Sequence, residues 1–255
     1  MIFRRLKSRP SGGERALPCI PAGLRAYAIG DIHGRLDLLD RMLAAIHEDL
    51  AGREPAENHL LILGDLIDRG PDSRGVVERL SHYHCRNVRL VVLSGNHEEV
   101  LLRLLQGEFG LLDDWLTFGG AETVQSYGLD PDELHDIGGR AAIARIRGAI
   151  PEDHRHFLEA AVDTVKIGDY LFVHAGIRPA VHLSMQLQKD LRWIRQPFLD
   201  DDTDHGFVVV HGHTISREVV ERPNRIGLDT GAYASGRLSA LGLEAGERWF
   251  LEATQ

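Results

Sequence analysis

Five short apolar runs in the sequence each lead into side chains of the types that bind metal ions. An isolated Asp or His after a strand is more often a turn former, a helix cap or a structural residue, so the repetition is what matters. Ligands of open α/β sheets bind outside the carboxyl ends of the strands, where residues far apart in sequence converge. We therefore expect these side chains to lie together. The runs and their donors are Ala26–Ile29 with Asp31 and His33, Leu60–Leu63 with Asp65, Leu90–Leu93 with Asn96 and His97, Tyr170–Val173 with His174, and Phe207–Val210 with His211 and His213.

The chemistry of these donors limits both the ion and the reaction. Carboxylate, amide and imidazole groups without cysteine suit Mn²⁺, Fe or Zn²⁺. About six such side chains are too many for one tetrahedral zinc that keeps an open position, and they suit two ions that share a bridging carboxylate. Two ions about 3.5–4 Å apart stabilise the attacking and leaving oxygens of an in-line phosphoryl displacement. The sequence therefore predicts a two-metal site for phosphoryl transfer.

The elements that must position these donors follow an α/β pattern. After the first strand, apolar residues recur at spacings of three and four from Leu36 to Leu50, which predicts a helix. A second helix is predicted from Ser73 to His84, with Ser73 as its N-cap. Residues 98–162 have mostly helical periodicity and predict a helical insertion. The alternation from Ile226 to Leu251 predicts antiparallel strands.

Composition and charge exclude several classes of protein. The chain has 255 residues, 43% hydrophobic and 26% charged, which is typical of a globular protein. Its apolar runs are far shorter than the ~18–20 residues of a membrane-spanning helix. Cys19 and Cys85 stand far apart without a CxxC motif, which favours a cytoplasmic protein with free thiols. The net charge of −9 argues against general nucleic-acid binding, which depends on neutralising phosphates.

The charge is unevenly distributed along the chain. Residues 1–25 carry six basic residues and only Glu14 as an acid, a net charge of +5, which leaves −14 on the remainder. The sequence from Ser8 to Gly13 is rich in turn-forming residues. We interpret residues 1–24 as a basic flexible tail and residues 25–255 as one catalytic domain. The alternative role for the tail is a weak contact with an anionic membrane surface or an acidic partner.

The motifs together resemble one family of enzymes. Read in order, they are similar to the PPP (phosphoprotein phosphatase) family of metallophosphatases, in the bacterial and phage branch of serine/threonine protein phosphatases within the calcineurin-like phosphoesterase superfamily. The resemblance implies an α-β-β-α fold, in which two mixed sheets pack as a sandwich between helices. The motifs are Gly30-Asp31-Ile32-His33-Gly34, Gly64-Asp65-Leu66-Ile67-Asp68-Arg69-Gly70, Gly95-Asn96-His97-Glu98, His174-Ala175-Gly176 and Gly212-His213-Thr214.

The resemblance also implies a dinuclear metal centre. A hydroxide held between two divalent ions attacks phosphorus directly, without a phosphoenzyme, and Mn²⁺ is the first expectation, with Fe or Zn²⁺ as alternatives. The implied ligands are Asp31 and His33 for the first metal, Asp65 as the bridge, and Asn96, His174 and His213 for the second.

The same resemblance assigns the remaining catalytic roles. His97 is the general acid that protonates the leaving alkoxide, and Asp68 fixes its tautomer. Arg69 binds the phosphate, because a planar guanidinium can contact two oxygens at once. A second arginine is expected in a Trp-x-Arg pattern, which selects Arg195, with Arg192 as its competitor.

Weaker candidates are given structural roles. His211 is expected in the core or behind the metal ligands, because His213 holds the family position. Asp229 either orients a ligand histidine or forms a turn. The segment Gly119-Gly120 and the indole of Trp115 are expected to serve packing, as is Trp193.

Three functions remain open at this point. The first is a phosphoprotein phosphatase that acts on Ser/Thr phosphate, with Tyr phosphate as an alternative substrate. The second is a bis(5′-nucleosyl)-tetraphosphatase, whose family pattern has Ala-Arg-Gly in place of Asp68-Arg69-Gly70 and Asp in place of Glu98. The third is an inactive metal-binding scaffold, which would be expected to lack at least one of these residues. The presence of Asp68 and Glu98 favours the protein phosphatase.

Overall fold

The computed structural model describes residues 17–255, which form two five-stranded mixed sheets. In the first sheet, with order β10-β9-β1-β2-β3, the strands β1, β2 and β3 are parallel and β9 and β10 are antiparallel to their neighbours. In the second, with order β4-β5-β6-β8-β7, the strands β5, β6 and β8 are parallel and the edge strands are antiparallel. The strands are β1 (Leu24–Ile29), β2 (Glu57–Ile62), β3 (Val88–Val92), β4 (Thr164–Ile167), β5 (Tyr170–Val173), β6 (Val208–His211), β7 (Val220–Glu221), β8 (Arg225–Gly227), β9 (Arg237–Glu244) and β10 (Glu247–Thr254).

Helices cover the outer faces of both sheets. The helices from α1 to α8 supply the core on the outer face of the first sheet, and α9 packs on the outer face of the second. None of the helices within residues 17–255 combines the length and the apolar character needed to cross a membrane. The helices are α1 (Leu36–Ala51), α2 (Ser73–Ser81), α3 (Asn96–Leu105), α4 (Leu112–Trp115), α5 (Ala121–Ser126), α6 (Pro131–Ile137), α7 (Gly139–Ala149), α8 (Glu152–Glu159), α9 (Gln188–Trp193) and α10 (Ala232–Ser235).

The alternation of side chains along β1 divides the core into layers. Tyr27 and Ile29 point towards the helices, whereas Ala26 and Ala28 point towards the second sheet, as the two-residue period of a strand requires. The inner layer joins both sheets, and Phe172 of the second sheet belongs to it. The predicted α-β-β-α fold is confirmed.

The start of the folded body differs from the sequence-based boundary at residue 25. Ile20 is only 2% exposed, and its N–H donates to the carbonyl of Ala245. The guanidinium of Arg25 is buried and forms an ion pair of 2.7 Å with Glu244. Residues from Ile20 onwards therefore belong to the body, because an apolar side chain and a paired charge hold them there. Of the predicted tail, residues 1–16 lie outside the described residues.

The N-cap of α2 also differs from the prediction. Asp72 caps the helix, because its Oδ1 accepts the N–H of Gly75 at 2.7 Å. Ser73 is fully buried instead, and its hydroxyl accepts the N–H of Asp68 at 3.0 Å. The serine therefore supports the loop after β2, next to the candidate site.

Strand register brings the loops of the sequence motifs to one edge. Ile29 pairs with Ile62, which pairs with Val92, so β1, β2 and β3 end at the same level. In the second sheet Phe172 pairs with Val210. The carboxyl ends of both sets of parallel strands therefore deliver their following residues to a common edge of the sandwich.

Candidate metal centre and phosphate site

The predicted metal donors come together at this common edge. Asp31, His33, Asp65 and Asn96 follow strands of the first sheet, and His174 and His213 follow strands of the second. All six residues are buried. Ligand atoms of His33, Asp65 and His97 lie within 4.8 Å of one another, and so do those of Asp65, His174 and His213. The two groups share Asp65, the residue expected to bridge two ions.

Asp65 lies between histidines of both sheets. Its Oδ2 is 3.5 Å from Nε2 of His33, and its Oδ1 is 3.4 Å from Nε2 of His174. The amide oxygen of Asn96 lies 3.0 Å from Nε2 of His174 and 2.8 Å from Nδ1 of His213. In each of the two groups, oxygen atoms and imidazole nitrogens therefore lie close enough together to bind one ion.

Backbone carbonyls fix the orientation of two of these imidazoles. The Nδ1–H of His33 donates to the carbonyl of Ile67 at 2.8 Å, and the Nδ1–H of His174 donates to the carbonyl of Leu63 at 2.8 Å. Each Nε2 is thus left unprotonated, at 3.5 Å (His33) and 3.4 Å (His174) from the Asp65 carboxylate, with a lone pair that a metal ion can use. Hydrogen bonds of this kind set the tautomer of metal-binding histidines.

Asp31 carries an oxygen whose surroundings fit a cation. Its Oδ2 accepts the backbone N–H of His213 at 2.9 Å, but its Oδ1 is buried and has no hydrogen-bond partner within residues 17–255. A Cβ at Gly212 would overlap this Oδ1, so only glycine admits the carboxylate here. A buried unpaired carboxylate oxygen is costly, and a divalent ion would satisfy it. The donor set therefore fits two hard or borderline cations.

The electrostatics keep His33, His213 and Asp65 in the protonation states that metals require, whereas Asp31 differs. Burial lowers the pKa of His33 and of His213 to about 3, so both imidazoles are neutral at physiological pH. Burial alone would raise the pKa of Asp65, but the surrounding imidazoles, that of His174 first, bring it below its usual range. Burial, and then the charges of Asp229 and Asp65, raise the pKa of Asp31 well above normal. A nearby cation would therefore stabilise the ionised form of Asp31.

Five site residues other than glycine adopt left-handed backbone conformations. Such residues cost about 1–3 kcal/mol each and persist only where the surroundings enforce them. A buried carboxylate supports one of the five, because Glu98 accepts the N–H of the left-handed Asp65 at 2.9 Å and those of the next two residues, Leu66 and Ile67, at 2.8 and 3.3 Å. It also accepts the N–H of Gly95 at 3.0 Å. The five residues and their φ values are His33 (45°), Asp65 (49°), Asp68 (73°), Arg69 (69°) and His213 (62°).

The structural part played by Glu98 was not predicted from the sequence. The sequence interpretation used Glu98 only to separate two enzyme classes. Its position three residues after the N-cap Gly95 is that of the glutamate in a capping box, of which only the glutamate half can form here because glycine has no side chain. That pattern could have predicted a glutamate turned back towards the backbone, but not the loop from another strand that it also holds.

The candidate acid, His97, is held by a buried carboxylate. The Nδ1–H of His97 donates to Oδ2 of Asp68 at 2.6 Å, and Asp68 is fully buried. The same Oδ2 accepts the indole N–H of Trp115 at 2.9 Å, and Oδ1 accepts the hydroxyl of Thr123 at 2.6 Å. Burial alone would lower the pKa of His97, but Asp65 and then Asp68 raise it. His97 therefore keeps its proton to a higher pH than an ordinary histidine does.

Two arginines border the cavity in front of these groups. The cavity measures about 490 Å³, and its lining includes Arg69 and Arg195. Nη1 of Arg69 lies 2.9 Å from Nε2 of His33, and its guanidinium lies 5.1 Å from the ring centre of Tyr233. The rest of the lining is Asp65, Asn96, His97, Val100, Leu111, Asp114, Trp115, Phe118, Trp193 and His213.

Arg192, the alternative candidate for the second phosphate-binding arginine, is paired with acidic residues. Arg192 forms a hydrogen bond of 2.7 Å with Asp163 and one of 3.3 Å with Glu99, and Glu99 also accepts the indole N–H of Trp193 at 3.2 Å. Arg195 is exposed at the cavity. The geometry therefore favours Arg195 for phosphate and gives Arg192 a structural position.

The two weaker polar candidates lie behind the donors. The ring of His211 is buried edge-on against Phe198 at 5.2 Å and is absent from both donor groups found in residues 17–255. Asp229 accepts the N–H of Gly231 at 2.9 Å, as a turn former does, and burial raises its pKa to about 6. Besides burial, its charge raises the pKa of Asp31, and within residues 17–255 its carboxylate accepts a hydrogen bond from Gly231 rather than from a histidine.

Comparisons with known proteins agree with the fold. The profile of the calcineurin-like phosphoesterase family matches residues 24–238. The chain is 35% identical over 224 residues to serine/threonine-protein phosphatase 1 of Salmonella typhimurium, covering 84% of this chain and 89% of the relative. It is 27% identical over 231 residues to the asymmetrical bis(5′-nucleosyl)-tetraphosphatase PrpE of Anoxybacillus flavithermus, covering 84% and 88%. A crystal structure provisionally assigned as a diadenosine tetraphosphatase has a TM-score of 0.62 at 23% identity, covering 91% of this chain and 99% of that one.

Proposed function

This chain belongs to the calcineurin-like phosphoesterase family, and on that basis we propose that it is a metal-dependent phosphoprotein phosphatase acting on Ser/Thr phosphomonoesters. The observation that carries the proposal is the buried pair of Asp68 and His97 at the edge of the cavity. The similarity to serine/threonine-protein phosphatase 1 supports it.

The Asp68–His97 pair suits a substrate with a poor leaving group. A serine or threonine alkoxide leaves only if it is protonated as the P–O bond breaks, and general acids contribute about 10²–10⁴-fold to such steps. A nucleotide leaving from a polyphosphate is far more acidic and needs less help. Three hydrogen bonds to Asp68, from His97, Trp115 and Thr123, therefore support a phosphomonoesterase.

The chain's own residues have distinct tasks in this reaction. Asp31, His33, Asp65, Asn96, His174 and His213 would hold two divalent cations, with Mn²⁺ as the first candidate and Fe or Zn²⁺ as alternatives. When bound, such ions lower the pKa of water and neutralise phosphate oxygens. Arg69 and Arg195 bind the remaining phosphate oxygens. His97 gives its Nε2 proton to the leaving oxygen while Asp68 holds the ring.

A nucleotide hydrolase is the second candidate. The relative from Anoxybacillus flavithermus supports it, and so does the aromatic lining of the cavity, where Phe118 is 67% exposed and Trp193 is 37% exposed. Exposed aromatic rings of this kind stack on flat groups, including nucleobases and phosphotyrosine rings.

A panel of substrates separates the two candidates. The Mn²⁺-loaded protein would be assayed with phosphoserine, phosphothreonine and phosphotyrosine peptides, p-nitrophenyl phosphate and diadenosine tetraphosphate. We expect a higher kcat/KM for at least one phosphopeptide than for the dinucleotide. Faster hydrolysis of the dinucleotide than of every phosphopeptide would overturn the protein phosphatase and support the second candidate.

A further inference from the structure

We infer that the break between α4 and α5, residues 116–120, is a positioning device that holds the phosphate-binding arginine with one glycine and the acid pair with the next. The chain is helical on both sides of the break, but Phe118 and Gly119 leave helical geometry, and Gly119 has φ 119°. The inference rests on the proposed phosphatase reaction.

Gly119 fits directly against the loop that carries Arg69. The N–H of Arg69 donates to the carbonyl of Gly119 at 3.0 Å. A Cβ built on Gly119 would lie 2.6 Å from Cγ of Arg69 and 2.7 Å from its backbone nitrogen. Arg69 itself has φ 69°, a conformation that needs external support. Gly119 therefore fixes both the backbone and the stem of the guanidinium that would bind phosphate.

Gly120 fits against the indole of Trp115. A Cβ on Gly120 would overlap Cδ2 and Cε2 of Trp115, so the ring lies where only glycine leaves room. Trp115 is 3% exposed and donates its N–H to Oδ2 of Asp68, the oxygen that also accepts from His97. The packing of Gly120 is thus connected to the acid through two hydrogen bonds.

Thr123, about one turn further along the chain, binds the same carboxylate of Asp68. Its hydroxyl donates to Oδ1 of Asp68 at 2.6 Å and accepts the N–H of Asp68 at 2.9 Å. Thr123 is fully buried. Together with Trp115 it occupies both carboxylate oxygens of Asp68, leaving Oδ2 aligned with His97. Within residues 17–255 neither residue hydrogen-bonds to His97 itself, so both act on the acid through Asp68 and are positioning residues, although Trp115 also lines the cavity.

The contact of Gly119 with Arg69 (the first arm) and the contacts of Trp115 and Thr123 with Asp68 (the second arm) predict different kinetic defects. A change at Gly119 should weaken phosphate binding, whereas a change at Trp115 or Thr123 should slow the step that needs the acid. A purely structural role in the insertion would weaken both equally. The split between binding and leaving-group dependence is therefore the property to measure.

The test uses four conservative variants and two matched controls. Gly119→Ala tests the first arm, and Gly128→Ala is its control, because Gly128 also has φ 81° but no atom of residues 17–255 lies within 4 Å of its Cβ position. Trp115→Phe removes one N–H, and Trp249→Phe is its control, since the Trp249 indole N–H is buried without a partner in the described chain. Thr123→Val removes the hydroxyl and Thr123→Ser restores it.

Each variant, loaded with Mn²⁺, would be titrated with inorganic phosphate by calorimetry and assayed with a phosphoserine peptide and p-nitrophenyl phosphate. We expect Gly119→Ala to weaken phosphate binding about tenfold relative to Gly128→Ala. Trp115→Phe and Thr123→Val should lower kcat about tenfold for the phosphoserine peptide, with less than about a twofold change for p-nitrophenyl phosphate and for phosphate binding. Thr123→Ser should recover most of the activity.

Two results would overturn the inference. One is equal phosphate affinity in Gly119→Ala and Gly128→Ala, which is decided without any turnover. The other is an equal loss on both esters in Trp115→Phe and Thr123→Val. If the wild-type protein hydrolyses neither ester, the proposed function fails instead, and the inference is then decided by the phosphate titration of Gly119→Ala against Gly128→Ala, where equal affinities overturn it.

Discussion

The carboxylate of Glu98 accepts the backbone N–H of Asp65 at 2.9 Å, and this contact ties the start of α3 to the loop after β2. The Asp65 N–H is one of four backbone donors that the carboxylate accepts. Because Asp65 holds a left-handed conformation between two histidines, the position of the shared donor depends on a residue that binds backbone N–H groups and is not itself one of the six predicted metal ligands.

Glu98→Gln should therefore damage the metal centre without removing a ligand. The amide keeps one accepting oxygen and turns an NH₂ group towards backbone donors, which leaves buried groups unpaired at a cost of about 1–3 kcal/mol each. We expect Mn²⁺ affinity to fall about 10–100-fold, as is typical of residues behind the ligands. Calorimetric titration measures it, with Glu99→Gln on the same helix as the control; equal affinities in the two variants would contradict the role of Glu98.

Replacing Asp68 should change the pH dependence of turnover. The pKa of His97 is raised by Asp65 and Asp68 against the effect of burial, and a general acid must be protonated. The rate therefore holds until the pH rises through this raised pKa and then falls. Asp68→Asn removes one of the charges that raises the pKa, so the fall should begin at lower pH. Profiles of kcat against pH on a phosphoserine peptide test this, and an unmoved or upward-shifted alkaline limb would be inconsistent with it.

His97→Asn should show the dependence on the leaving group. Asparagine fills a similar space but cannot deliver a proton to the leaving oxygen. We expect kcat for phosphoserine to fall about 10²–10⁴-fold, with a much smaller loss for p-nitrophenyl phosphate, whose phenolate leaves readily. An unchanged kcat for phosphoserine would show that His97 is not the acid.

We expect Arg195 to bind phosphate and Arg192 to have a structural role. Arg195→Ala should raise KM and weaken inhibition by phosphate about tenfold or more, because a charged hydrogen-bond donor is lost. Arg192→Ala breaks its contacts with Asp163 and Glu99 and should lower the melting temperature while leaving phosphate inhibition closer to wild type. The reverse pattern would exchange the two assignments.

Metal removal should destabilise the folded chain. A ligand that binds only the native state stabilises it by about 2.7 kcal/mol at a concentration of 100 Kd. We expect a chelator to lower the melting temperature, and Mn²⁺ to restore it. Asp65→Asn should abolish this response, whereas Asp40→Asn, an exposed aspartate on α1 paired with Arg79, should keep it. A metal response in Asp65→Asn equal to wild type would exclude the shared-donor role.

The sequence predicts those parts of the site that depend on residues close together in the chain. Apolar runs of strand length fix where β1, β2, β5 and β6 end, and the donors follow within one to four residues, so His174 or Asp65 needs no tertiary information to be found. The predicted order of strands and helices is therefore close to the observed one.

The unpredicted part depends on distant partners. Trp115 donates a hydrogen bond to Asp68, which lies 47 positions away in the sequence. Helical periodicity predicts only a packing role for such a tryptophan. Arg25 contributes to the charge of +5 on residues 1–25, but Glu244, 219 positions away, pairs with it in the body. Ser73 looked like a cap because it begins the helical pattern, yet Asp72 holds that position and frees the serine for the loop after β2.

The break between α4 and α5 also limits how the specificity of such an enzyme can change. Leu111 and Phe118 line the cavity from the same short stretch that supplies Trp115, Gly119 and Gly120. An exchange of the whole segment 98–162 for that of a relative would transplant a new substrate surface and disconnect Asp68 and Arg69 in the same step. New specificities are therefore accessible by changing the exposed side chains one at a time, and the insertion is a poor unit for domain grafting or recombination.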